Sequence, residues 1–181
     1  MSKVIVLVGS VRRGGNTEIL AEAFAEGARK NNEVEIISVA DYEINPCIGC
    51  NSCFHSEGGK CFQEDDMQKL YPKLAAADVI VAASPVYFYG ISARLKALLD
   101  RLHTPMRNEF KVQKSAILLV AAATLPAVFD SILLQYQLIL DFFHLEDAGR
   151  ILVRGVKEKG DIKGNQALKD AYIMGERLNI K

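Results

Sequence analysis

The chain has 181 residues, half of them apolar, enough for one domain with a full core. Lysine plus arginine and aspartate plus glutamate balance at 22 each, so there is no basic field to draw nucleic acid or an anionic membrane surface. The most apolar stretch, Ile132 to Phe143, is interrupted by Gln135, Gln137 and Asp141 and is too short to cross a bilayer. An apolar strand follows Met1-Ser2-Lys3 at once, without the pattern of an export signal, and a cytoplasmic location is expected.

Val4 to Val8 is a short β-branched run, the pattern of a strand buried on both faces. The loop after it, Gly9-Ser10-Val11-Arg12-Arg13-Gly14-Gly15-Asn16-Thr17, opens directly into a helix whose apolar face carries Ile19, Leu20, Ala23, Phe24, Gly27 and Ala28. Glycines, hydroxyl and amide side chains, an arginine and a helix N-terminus together make a cradle for a terminal phosphate. Gly9 and Gly14 have the spacing of a nucleotide P-loop, but Gly15 and Asn16 stand where its lysine and Ser/Thr would be. No G-x-G-x-x-G is present for a dinucleotide pyrophosphate. The competing reading is a glycine-rich turn in which Asn16 merely caps the helix.

A second strand is expected over Val34 to Val39. After it come all four cysteines, Cys47, Cys50, Cys53 and Cys61, spaced C-x2-C-x2-C-x7-C among Pro46, Gly49, Asn51, Ser52, Gly58 and Gly59. Cysteines used for packing would be spread over apolar elements; gathered in a loop, they bind something or pair. Disulfides do not suit the expected compartment. Three cysteines in one tight run favour a cubane iron–sulfur cluster over zinc, which usually takes two separated knuckles, although thiolates accept either metal and a redox pair stays open. His55, inside the loop, is a weaker alternative ligand. Asp65 and Asp66 are expected to cap a helix over Met67 to Ala76, and Pro72 should kink or break that helix near Leu70.

The third strand is expected over Val79 to Ala83, followed by the loop Ser84-Pro85-Val86-Tyr87-Phe88-Tyr89-Gly90. Three aromatics there suggest a planar ring to enclose, and beside a phosphate cradle they point to a mononucleotide with a flat heterocycle, for which FMN is the candidate. Leu95, Leu98, Leu99 and Leu102 line a third helix. A fourth strand over Ala116 to Ala121 leads into Ala121-Ala122-Ala123-Thr124-Leu125-Pro126. A fourth helix, apolar nearly all round over Ile132 to Phe143, should be covered in part by another subunit. A fifth strand over Arg150 to Val153 precedes a last helix carrying Ala167, Leu168, Ala171, Tyr172, Gly175 and Leu178. The alternation predicts an α/β fold, an open doubly wound five-stranded parallel sheet with helices on both faces and ligands at the carboxyl ends of its strands. The whole of 1–181 reads as one domain with a cysteine-rich insertion at about 45–65.

The Gly-Ser-x-Arg-x-Gly-Gly-Asn-Thr loop, Pro46-Cys47-Ile48-Gly49-Cys50, Asp65-Asp66-Met67, Ser84-Pro85-Val86-Tyr87 and Leu95-Lys96-x3-Asp100-Arg101 resemble the NADPH-dependent FMN reductase family of the flavodoxin-like fold. Within it the cysteine run resembles the iron–sulfur flavoproteins. The resemblance implies FMN held through its phosphate by Ser10, Arg12, Asn16 and Thr17, with Pro85, Val86, Tyr87 and Phe88 along the flavin. It implies a [4Fe–4S] cluster on Cys47, Cys50, Cys53 and Cys61, and a homodimer or homotetramer. NAD(P)H or ferredoxin would donate electrons and a quinone or nitroaromatic would accept them. The family commonly has glycines after the fourth strand, where this chain has alanines. Two other readings stay open: a flavodoxin-type electron carrier, against which the balanced charge counts, and a zinc-stabilised binding module.

Overall fold

The computed structural model describes residues 1–179; the last two residues of the expected domain, 180–181, lie outside them. The strands are β1 (Ser2–Val8), β2 (Asn32–Ser38), β3 (Val79–Tyr87), β4 (Gly90–Ile91), β5 (Lys114–Val120) and β6 (Glu146–Val153). Five are parallel, in the order β2-β1-β3-β5-β6, and β4 pairs antiparallel with the end of β3. The helices are α1 (Asn16–Ala28), α2 (Met67–Ala75), α3 (Ala93–Asp100), α4 (Asp130–Phe143) and α5 (Gln166–Glu176).

Strand side chains alternate, so one run of valines and isoleucines feeds two cores. Val4, Val6 and Val8 join Leu20 and Phe24 of α1 and Ala171 of α5, while Ile5 and Leu7 join Leu70 and Leu74 of α2 and Leu95 and Leu98 of α3. Ile117 and Leu119 of β5 pack with Ile132, Tyr136 and Leu140 of α4. This is the expected doubly wound sheet. The chain moves to opposite sides of β1 for β2 and β3, so the crevice of the fold opens above the carboxyl ends of β1 and β3.

On the first face α1 and α5 approach backbone to backbone. A methyl group built on Gly27 would lie 2.0 Å from the Tyr172 carbonyl oxygen, and one on Gly175 would lie 2.1 Å from that of Phe24. Each glycine thus makes room for the other helix.

Three expectations need correction. Ser84 to Tyr87 is not loop but the continuation of β3, which turns through Phe88 and Tyr89, both at positive φ (46° and 64°), into β4. Two central residues at positive φ make the tight turn that matches strand twist, here without the usual Asn or Gly. Pro85 fits this strand because Ala83, two residues earlier, gives its carbonyl to the Gly9 amide at 2.7 Å. Pro85 therefore faces the same side, past the end of β1, where its missing N–H costs no ladder bond. Second, α2 runs through Pro72 without a break. The bond forfeited there is to the carbonyl of Gln68, an exposed residue of the first turn. Third, β6 begins at Glu146, four residues before Arg150, because pairing with Lys114 and Ser115 of β5 extends the strand through residues left largely exposed.

Candidate functional site

The loop between β1 and α1 is shaped by its own backbone and by one carboxylate. Gly14 sits at φ 61°, its amide is bound by the Glu18 side chain, and the Gly15 amide donates to the Arg12 carbonyl at 3.1 Å. Gly15, not Asn16, is the residue at the N-cap. The Ser10 hydroxyl accepts from the Arg12 amide at 3.1 Å, and Ser10, Asn16 and Thr17 are buried. The two arginines separate. Arg13 pairs with Asp41 and lies near Glu18, whereas Arg12 carries no carboxylate partner among the described residues and donates to the Lys157 carbonyl at 3.5 Å.

A cleft of about 180 Å³ gathers Ser10, Arg12, Gly15, Asn16 and Thr17 with Pro85, Val86 and Tyr87. Phe88 is not part of this wall; it stands 99% exposed at the hairpin tip. The cleft also takes in four residues that sequence reasoning did not single out: Val120, Ala122, Val156 and Lys157. Ala122 belongs to the alanine loop after β5, which is tied to the segment after β6: Ala121 accepts from the Val156 amide at 3.1 Å and Ala123 from Gly155 at 3.3 Å. The signal for the segment after β6 was Gly155, Gly160 and Gly164, spaced among lysines and all at positive φ. No carboxylate lines the cleft, whose cations are Arg12 and Lys157. Hydroxyls, two cations and a helix N-terminus at one end, and a rail of Pro85, Val86 and Tyr87 at the other, suit a phosphate joined to a flat ring. A second cavity, of about 70 Å³, lies between α3 and α4 and is lined almost wholly by aliphatic and aromatic side chains.

The cysteine segment leaves the carboxyl end of β2, on the same edge of the sheet. Between Asn45 and Asp65 it has no strand or α-helix, only single 3₁₀ turns at Ser52–Phe54 and Glu57–Gly59. Its ends are stapled by a buried pair. Arg101 donates to both oxygens of Asp65, at 2.7 and 3.2 Å, and to the Asn45 carbonyl at 3.0 Å; Asp65 also accepts from the amides of Asn45 and Met67. Asp65 thus does more than begin a helix, and Asp66 binds the Glu43 amide and Lys69. Within the segment the buried Thr104 hydroxyl donates to the Gly59 carbonyl at 2.5 Å. Phe54 packs at a tilt against His103, which packs at a tilt against Phe142 of α4.

All four cysteines are free, Cys47 and Cys50 exposed, Cys53 and Cys61 half-buried. The Ser52 hydroxyl and amide hold the Cys50 thiol below its ordinary pKa. Among the described residues no three Cys, His, Asp or Glu side chains come together as a metal-holding group. The donor chemistry fits a soft metal or cluster while the arrangement of the four thiols is open.

The sheet order, with a cleft at its switch point, defines a flavodoxin-like fold. Solved structures of similar fold include a NAD(P)H:quinone oxidoreductase from Methanothermobacter marburgensis, with a TM-score of 0.77 at 16% identity over 97% of this chain and 96% of that one. Residues 2–151 match the family described as NADPH-dependent FMN reductase, and the chain belongs to that family. It is 48% identical over 112 residues to an iron–sulfur flavoprotein of Methanocaldococcus jannaschii, 61% of this chain and 56% of the relative. An iron–sulfur flavoprotein of Methanosarcina thermophila is 32% identical over 175 residues, 95% of this chain and 87% of that protein. The match thus spans little more than half the length of the first of these relatives. Among the described residues no helix is long and apolar enough to cross a membrane.

Proposed function

We propose that this protein binds FMN in the cleft between the β1–α1 loop and the end of β3, and uses it as an NAD(P)H-dependent oxidoreductase. The observation that carries this is a cleft, lined by no carboxylate, in which the β1–α1 loop meets Pro85, Val86 and Tyr87. Ser10, Arg12 and Thr17, with the unpaired first-turn amides of α1, would hold the phosphate. The β3 backbone beyond β1, freed at Pro85 of ladder duties, would line the ring, with Phe88 at its mouth. When bound, FMN supplies a hydride acceptor that can also pass electrons singly, so the chain needs no catalytic acid or base of its own. NAD(P)H fits as donor, and a quinone or nitroaromatic as acceptor.

Protein purified without oxygen should show flavin absorbance and oxidise NAD(P)H steadily with a quinone. Arg12→Met should lower FMN affinity by about tenfold, the worth of one charge-assisted phosphate contact. Bound flavin without turnover would favour a flavodoxin-type carrier. Metal without flavin would favour the zinc module and end the present reading.

A second reading adds a [4Fe–4S] cluster on Cys47, Cys50, Cys53 and Cys61, with ferredoxin as one-electron donor. It is supported by four free thiols in one loop closed at both ends, and by the names of the relatives. Such a centre would supply one-electron transfer. Iron and acid-labile sulfide near four per FMN on the same sample would favour it, and their absence after anaerobic reconstitution would remove it.

The family resemblance also carries an oligomer. On α4, Leu134, Leu138 and Phe142 form an exposed stripe, 65%, 60% and 50% accessible, opposite the buried Ile132, Tyr136 and Leu140. Burial of that stripe against a second copy would make a homodimer or homotetramer. Leu138→Glu should shift the sizing peak to the monomer; a wild-type protein already monomeric at micromolar concentration would count against the interface.

A further inference from the structure

Asn16 stands at the start of α1, where a side-chain amide would be expected to face the phosphate, yet its polar atoms are already engaged. Its Nδ2 donates to the Glu158 carbonyl at 2.9 Å, and its Oδ1 accepts from the amides of Gly160 at 3.0 Å and Ile162 at 3.3 Å. All three partners lie in the segment between β6 and α5, more than 140 residues away in sequence. That segment is closed on itself by Asp161, whose carboxylate accepts from the amides of Lys157 at 3.0 Å and Glu158 at 2.7 Å. Gly155 and Gly160, at φ 73° and 92°, give it a course that residues with a side chain rarely follow. Arg12 ties the same segment from the other side through the Lys157 carbonyl. So braced, Lys157 lines the cleft with Ser10, Arg12 and Thr17, its side chain 79% exposed and its ammonium 4.0 Å from the Glu158 carboxylate, a surface pair of the kind worth little.

We propose that Lys157 is the second cation of the phosphate site, and that Asn16 is a positioning residue that clamps the β6–α5 segment so that Lys157 faces the phosphate. This rests on the flavin reading above and deepens it. A phosphate monoester carries close to two negative charges at neutral pH, and one arginine leaves part of that charge uncompensated. The Asn16 amide commits its carbonyl oxygen and one of its two N–H donors to the segment it holds, and its proposed contribution to ligand affinity is made through that segment.

The test uses the full chain freed of flavin, titrated with FMN and with riboflavin, which shares the ring and lacks the phosphate. Lys157→Met should weaken FMN about tenfold, as one charge-assisted contact is worth, and leave riboflavin unchanged. Asn16→Ala should weaken FMN by a similar factor, and adding Lys157→Met to it should cost little more, because the lysine is then already misplaced. Asn16→Ala should also speed tryptic cleavage at Lys157, Lys159 and Lys163 several-fold in the flavin-free protein, a readout that owes nothing to the ligand. Unchanged FMN affinity in Lys157→Met would overturn the role of the lysine. Fully multiplicative losses in the double variant, or unchanged proteolysis, would overturn the clamp and make Asn16 a direct ligand. A wild-type protein that binds FMN and riboflavin equally would remove the phosphate reading itself, and this inference with it.

Discussion

Gly175→Ala is expected to lower the stability of the protein by about 3 kcal/mol, near the top of the usual range for overpacking. The added methyl group would lie 2.1 Å from the Phe24 carbonyl oxygen and 2.8 Å from the Ala28 nitrogen, both main-chain atoms of α1 that no rotamer change can clear. The helices must separate, and with them Leu20, Phe24 and Ala171 lose contacts in the core on that face of the sheet. Gly27→Ala meets the mirror-image obstacle at Tyr172 and should behave alike. A glycine in an exposed helix would show the opposite sign, since alanine is the better helix former by about 1 kcal/mol. Because α1 begins at the phosphate loop, its displacement should weaken FMN as well. Urea denaturation of the flavin-free variants measures the first effect, and stability equal to wild type would show that the helices are not in backbone contact.

Asp65→Asn should cost about 3 kcal/mol at neutral pH, as breaking one side of a buried ion pair does. The Asp65 and Arg101 side chains are 4% and 1% accessible, and Arg101 Nε is buried without a partner among the described residues. The variant would leave the guanidinium buried with its compensating charge gone. Burial alone would raise the pKa of Asp65, but the Arg101 hydrogen bond, the Asn45 amide and the guanidinium charge outweigh it, and the value lies below the ordinary one. A carboxylate with a depressed folded-state pKa stabilises the fold above its unfolded value, about 3.9, and loses that contribution as pH falls through the folded value. The gap between wild type and variant should therefore be full at pH 7 and narrow only in acid below about pH 4. The same pair closes the cysteine segment, so hydrogen exchange across 46–64 should rise in the variant even where the rest of the fold holds. A gap that stays constant down to pH 2 would mean that the carboxylate charge is not what the pair contributes.

The features legible in the sequence are those made by neighbours along the chain. Four of the strands announce themselves because β-branched runs buried on both faces look alike wherever they occur. The glycine-rich β1–α1 loop is written in nine consecutive residues, and the four cysteines stand out by their spacing alone. From these alone the sheet type and most of one wall of the cleft could be read. Where a pattern was read too locally it misled: the aromatics after Ala83 looked like loop, because pairing of Ser84 and Pro85 with Leu119 and Val120 extends the strand from outside. Pro72 looked like a helix break, because its lost bond falls on an exposed first-turn residue and nothing in the local sequence says so.

Tertiary structure decided what depends on partners far away. What Asn16 binds within the protein is decided by Glu158, Gly160 and Ile162, and which arginine carries a carboxylate partner by Asp41, which pairs with Arg13. Lys157 reaches the cleft wall only once the β6–α5 segment closes on Asn16 and Arg12, and Gly27 and Gly175 become indispensable only once α5 packs on α1. A side chain has few hydrogen-bonding atoms and a glycine has one missing methyl group. Which neighbour uses them is fixed by contacts across more than a hundred residues, which no local pattern encodes.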